Sequence, residues 1–150
     1  MAIQTYQTVN FHFRVDFNFD KDADIGFQSV TGLDSTLETE SVKEGGENRF
    51  THVVPVRRKY GPLLLKRGLV KPDNSKITKW LKKVFDQEIV EPRDSVTIIL
   101  LNEEHKPLMH WRINNVWPIS WKIGELNAEQ GSVLIETLEL NYNRLSFENL

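Results

Sequence analysis

The 150-residue chain has no cysteine. That absence excludes a disulfide framework, a cysteine-ligated zinc site, an iron–sulfur cluster and a thiol nucleophile. Long apolar runs are also missing. The best, Val96–Leu101, falls far short of the roughly 18 residues that a membrane-crossing helix needs. Met1–Phe13 carries no Lys or Arg and alternates apolar with polar residues, so it does not read as a signal peptide. Net charge is slight, −2 from 19 basic and 21 acidic residues, which argues against a generic nucleic-acid binder. A chain of this length fits one domain, residues 1–150. It can bury roughly two-thirds of its unfolded surface, so it needs neither disulfide nor metal for stability.

The small net charge conceals an asymmetry. Arg57 to Lys83 holds ten basic residues (Arg57, Arg58, Lys59, Lys66, Arg67, Lys71, Lys76, Lys79, Lys82, Lys83) against one acid, Asp73, a sum of +9. The remainder sums to −11. Two opposed halves suit either an external polyanion or a second copy met head to tail.

Hydrophobic spacing predicts a mainly β domain. Val9–Phe19 alternates without a break, which is a strand buried on one face. Asp20–Asp24 reads as a turn leading to a second strand, Ile25–Val30, as its hairpin partner. Thr36–Lys43 is polar on both faces, and Glu44–Asn48 (EGGEN) is the strongest flexible break. Arg49–Val56 is a strand that Pro55 marks as an edge or a run into a loop, and Arg57–Pro62 is basic and turn-like. One helix is expected over about 74–88. Asp73, Asn74 and Ser75 are its cap candidates, Ile77, Trp80, Leu81, Val84 and Phe85 its apolar stripe, and Lys76, Lys79, Lys82 and Lys83 its outer face. Ser95–Leu101 is a continuous apolar strand. Leu108–Ile119 follows with Met109, Trp111, Ile113, Trp117 and Ile119 on one face, and Val133–Tyr142 closes the series. The architecture implied is a small β-barrel or two packed sheets with one flanking helix.

No catalytic chemistry emerges. His12, His52, His105 and His110 form no His-Glu-x-x-His pattern, and there is no Gly-x-Ser-x-Gly or phosphate-binding Gly-rich loop. Asp20, Asp22 and Asp24 imitate the start of a calcium loop, but the glycine (Gly26) falls one place late and the twelfth residue is Thr31 instead of Glu. Glu136 shares a row with Leu134, Leu138 and Leu140, so it needs a partner, a hydrogen bond or a subunit boundary. Trp80, Trp111 and Trp117 fall on apolar rows and read as core. No enzyme, cofactor, metal or small-molecule substrate is expected.

Several segments, in order and spacing, resemble the tail tube proteins of contractile phages and extracellular contractile injection systems. They are Phe11–Phe17 (FHFRVDF), Gly26–Leu33 (GFQSVTGL), Glu44–Asn48, Pro55–Tyr60 (PVRRKY), Leu65–Leu69 (LKRGL), Trp80, Trp111 to Trp117-Pro118, and Ile135–Leu140 (IETLEL). The resemblance runs over most of the chain; the ring protein of type VI secretion is a more distant likeness. It implies hexameric rings that stack into a hollow tube, with the sheets of six subunits joined into one inner barrel. The implied partners are other copies, contractile sheath subunits, baseplate hub and tube-terminating proteins, and a protein or DNA cargo. The implied location is the bacterial cytoplasm during assembly, then a phage tail or a released or membrane-anchored injection particle.

On that basis an inter-subunit arm is expected at about 44–60. Its contact residues would be Glu44, Gly45, Gly46, Glu47, Arg57, Arg58, Lys59 and Tyr60, followed by Lys66 and Arg67, with the basic ones meeting acids such as Glu38, Glu40, Glu44 and Glu47 of a neighbour. Glu38, Glu40, Arg49 and Thr51 are expected on the lumen. Competing readings are a tube-initiating ring paralogue on the baseplate and a nucleic-acid-binding module using the basic 57–83 segment.

Overall fold

The computed structural model describes residues 11–18, 26–43, 51–69, 75–88, 90, 93–129, 131 and 133–149. Among these are nine strands and one helix: β1 (His12–Phe17), β2 (Ser29–Thr31), β3 (Ser35–Lys43), β4 (Thr51–Tyr60), β5 (Leu63–Gly68), α1 (Lys76–Phe85), β6 (Arg93–Leu101), β7 (Pro107–Ile123), β8 (Ile135–Asn141) and β9 (Arg144–Asn149). Seven strands form one hydrogen-bonded system in the order β1-β6-β7-β8-β5-β2, with β9 also on β7. The other two, β3 and β4, pair only with each other.

The 17-residue β7 organises the body. Its first half pairs with β6 and β9 and its second half with β8, so it is shared by two sheets. The change of sheet falls at Asn115, which has φ 53°. Asn is among the few non-glycine residues that occupy this left-handed region at modest cost. The kink breaks the simple alternation expected along Leu108–Ile119. Ile113 and Val116 are both buried, Trp117 is half-buried, and Ile119 is exposed. A second irregularity between Pro118 and Ser120 places Ile119 outside the pairing with β8.

The core lies between the two sheets and the helix. Val15, Phe17, Leu63, Leu65, Val96, Ile98, Ile113, Val116, Leu138 and Leu140 meet Ile77, Trp80, Leu81 and Val84 of α1. The helix begins at Ser75, whose Oγ accepts the Thr78 backbone N–H at 3.1 Å and so satisfies one of the free first-turn donors. Lys76, Lys79, Lys82 and Lys83 are exposed, as the periodicity requires. Lys82 and Lys83 lie in the last turn, where positive charge favours the helix dipole. Phe85 departs from the expected stripe and is 45% exposed.

Three other expectations are corrected. β1 and β2 do not form a hairpin: β1 pairs with β6 and β2 with β5, at opposite ends of the sheet order. Side-chain alternation can identify a strand, but it carries no information about a distant partner. The basic Arg57–Lys59 stretch is not a turn, because β4 continues through Tyr60. Tyr142 is not the end of the last strand, since Arg144–Asn149 returns as β9.

Candidate assembly surface

The β3–β4 ribbon differs from every other strand pair. Its register runs from Ser35–Tyr60 to Lys43–Thr51, with a bulge between Glu38 and Thr39 that lets Pro55 sit opposite Thr39. A proline fits this ribbon because, among the described residues, no third strand calls on its missing N–H. An isolated two-stranded ribbon is marginal in water.

The ribbon continues the body. Thr31–Leu64 of the β2–β5 pair and Ser35–Tyr60 of the β3–β4 pair fall on one continuous register. Between them the ladder is interrupted at Gly32–Asp34 and Gly61–Pro62. Gly32 has φ 94°, and a Cβ there would sit 2.0 Å from the Pro62 carbonyl oxygen. Only glycine permits that approach.

The ribbon's surface is charged with an apolar spot. Arg57, Arg58, Lys59 and Glu40 are exposed, and Leu37 is 54% exposed. Arg57 Nε donates to Glu38 Oε2 at 2.5 Å across the ribbon. The hydrogen bond and charge of Arg57 hold the Glu38 carboxyl below its ordinary range, and Glu38 raises Arg57 in return. Arg57 therefore meets an acid of its own subunit. Tyr60, at the ribbon's base, is half-buried with its ring 5.7 Å from that of Tyr142. Thr51 stands opposite Lys43 at the far end of the ribbon. Glu44, Gly45, Gly46, Glu47 and Arg49 lie outside the described residues, as does the loop part of the expected arm.

Lys66 and Arg67 separate sharply. Lys66 is exposed on β5, whereas Arg67 is only 2% exposed. The expectation that Arg67 lies on a contact surface is corrected: it belongs to the interior of its own subunit. Its guanidinium pairs with Glu136, donates to Ser75 Oγ at 2.9 Å and Thr78 Oγ1 at 3.5 Å, and lies 5.1 Å from the centre of the Phe27 ring. Glu136, 3% exposed, also accepts from Trp121 Nε1 at 3.0 Å. This answers the need for a partner that its apolar row implied. The signal was present in the sequence: Leu63, Leu65 and Arg67 share one strand parity, so the cation points inward with two buried leucines.

The described part of the basic segment is thus divided among four settings: Arg57 bound to Glu38, Arg58, Lys59 and Lys66 exposed on strands, Arg67 in the core, and lysines along α1. Among the described residues no group of three or more His, Asp or Glu side chains could hold a metal ion. An open groove of about 520 Å³ lies between the β1 and β2 segments, lined by Phe13, Val30, Leu33, Ile98, Leu100 and Trp111 among others. None of its lining residues is an acid, a base or a cysteine.

Comparison with known proteins identifies the family. The family model described as T4-like virus tail tube protein gp19 matches residues 9–146. A chain of the six-fold symmetrised cryo-EM structure of the anti-feeding prophage (AFP) baseplate is 30% identical, with a TM-score of 0.78, over 99% of this chain and 98% of that one. A chain of the PVC extracellular contractile injection system sheath–tube complex in the extended state is 24% identical, with a TM-score of 0.78, over 97% and 93%. Hcp1 from Flavobacterium johnsoniae shares the fold at 12% identity and a TM-score of 0.59, over 91% and 94%. The search of curated proteins found no match. A body with a ribbon that pairs with no other strand among the described residues, matched nearly end to end by this family, is a building block: the chain belongs to the T4-like virus tail tube protein family and is a structural subunit of a tube.

Proposed function

We propose that six copies of this subunit close into a ring, that the rings stack into the hollow inner tube of a contractile injection particle or phage tail, and that the β3–β4 ribbon is the arm joining neighbours. The observation that carries this reading is that, among the described residues, β3 and β4 pair with no other strand while exposing Leu37, Arg58 and Lys59. A ring or stack of this kind uses two different surfaces of one subunit, so a projecting arm needs a receiving surface on the next copy. Near the ribbon's base the face bearing Thr36, Glu38, Arg57 and Lys59 is polar and suits a water-filled lumen, to which Glu40 on the same face of β3 also contributes. The opposite face, with Leu37, rests on protein. Glu44, Gly45, Gly46, Glu47, Arg58, Tyr60 and Lys66 complete the inter-subunit contact, with Arg57 and Lys59 reaching the neighbour from the rim of the lumen face.

The role is mechanical and involves no bond-making chemistry. Sheath subunits, a baseplate and a tube terminator are the further partners, and a protein effector or DNA passes through the lumen. Assembly takes place in the bacterial cytoplasm.

The test is charge reversal at Arg57, Arg58 and Lys59 together, followed by negative-stain microscopy and sedimentation. The reversed variant keeps the wild-type circular dichroism spectrum and forms no tubes. Tubes of normal bore and length from that variant would sink the arm assignment.

A further inference from the structure

The joint between body and ribbon lacks the strand bonds that hold the ladder on either side. Across Gly32–Asp34 and Gly61–Pro62 the pairing stops, and Pro62 has no N–H to give. A second ladder is interrupted nearby in space. β8 and β9 follow each other along β7 in one continuous register, Trp117–Asn141 and then Asn114–Arg144, with a break at Asn115-Val116 and Tyr142-Asn143. The left-handed Asn115 makes that break, and Asn143 N–H rejoins the ladder at the Asn114 carbonyl, 3.0 Å away.

Tyr142 sits in the second break and reaches into the first. Its side chain is 6% exposed, and its hydroxyl donates to the Gly61 carbonyl at 2.8 Å, across 81 residues of sequence. Its ring lies against Tyr60, the last residue of β4. One side chain of the body therefore takes up a backbone acceptor that the ladder leaves unused and grips the ribbon at its base. From the opposite segment, the close approach of Gly32 to Pro62 fixes the same joint.

We infer that Tyr142 is a positioning residue for assembly: it clamps the joint and sets the angle at which the β3–β4 ribbon leaves the body. This rests on the reading of the ribbon as the inter-subunit arm. A ribbon free to swing would have to be ordered each time it docked on a neighbour, and that ordering would oppose assembly. A clamped ribbon is ordered beforehand. Burial raises the Tyr142 phenol above its ordinary pKa, with Asp34 and Tyr60 adding to the shift, so the hydroxyl remains a donor throughout the neutral range.

The cysteine-free chain allows a direct test, because Ser41→Cys on the exposed part of β3 and Lys82→Cys on the exposed face of α1 give two unique spin-label sites. Labelled full-length protein is measured by double electron–electron resonance below the concentration at which it assembles. The expected result is one narrow distance distribution for the parent and a broader one for Tyr142→Phe. Alongside this, the concentration needed for tube formation rises about five-fold, the effect of one lost hydrogen bond. Where Tyr142→Phe lowers the melting temperature, both proteins are compared well below it, where each is fully folded, and the same broadening and the same rise are expected. An unchanged distribution, or a broadened one with unchanged assembly, overturns the proposal. A parent that forms neither rings nor tubes with its baseplate partners defeats the arm reading instead, and the distance comparison is still decided.

Discussion

The β2–β5 and β3–β4 pairs are one antiparallel ladder in one register, yet their two ends live under different physics. At the body end, Leu63 and Leu65 are fully buried, β8 completes the sheet, and a buried Arg67–Glu136 pair ties strand to helix cap. At the ribbon end no third strand joins among the described residues, Leu37 stands in solvent, and the ion pair Arg57–Glu38 is exposed. The same two kinds of residue, a leucine and an arginine–glutamate pair, thus stabilise the fold at one end and remain available for another molecule at the other. The difference is burial.

The two ion pairs offer the widest contrast. Arg67→Met leaves Glu136 buried beside an apolar chain and should cost about 3–5 kcal/mol of unfolding free energy in urea titration. Adding Glu136→Leu removes the stranded charge and should recover most of that loss. If Arg67→Met and the double variant were equally unstable, packing rather than charge would govern the site.

Leu37→Ala sits at the other end of the comparison. It should change the stability of the isolated subunit by less than about 0.5 kcal/mol, as exposed substitutions do, while reducing the tube fraction in sedimentation. A loss of the size seen for core leucines, about 2–5 kcal/mol, would mean that the ribbon is part of the body after all.

The smallest effect is the pH response of the ribbon pair. Arg57 lowers the Glu38 carboxyl from its ordinary 4.5, so the pair's contribution is complete above the unfolded carboxylate's pKa and disappears as pH falls through the lowered folded value. Side-chain carboxyl NMR should show a Glu38 midpoint below 4.5 that returns toward 4.5 in Arg57→Gln. A midpoint already at the ordinary value would remove the pair from the account. Because both groups are open to solvent, melting curves should not register the change.

Much of this was legible residue by residue. The 3.6-residue spacing of Ile77, Trp80, Leu81 and Val84 located the helix and its buried face. The alternation of β1 and β8 located strands, and Glu136 stood out as a charge in an apolar row. Arg67 escaped the same logic because its neighbours in sequence are basic. Charge density suggested surface, whereas strand parity, shared with Leu63 and Leu65, pointed inward. The clamp was invisible for a different reason. Tyr142 and Gly61 are brought together by two ladder breaks, and neither break has a local signature beyond Gly32, Asn115 and Pro62.

The sequence alone determined that this is a cysteine-free, mainly β chain with one amphipathic helix and opposed charges, since composition and spacing act locally or through simple sums. The tertiary structure decided which charges are spent inside the subunit, which strands pair, and where the ladder is interrupted to release a ribbon. Those outcomes depend on partners tens of residues away. A side chain carries its polarity wherever it goes, but it acquires a neighbour, and with it a role, only when the chain closes around it.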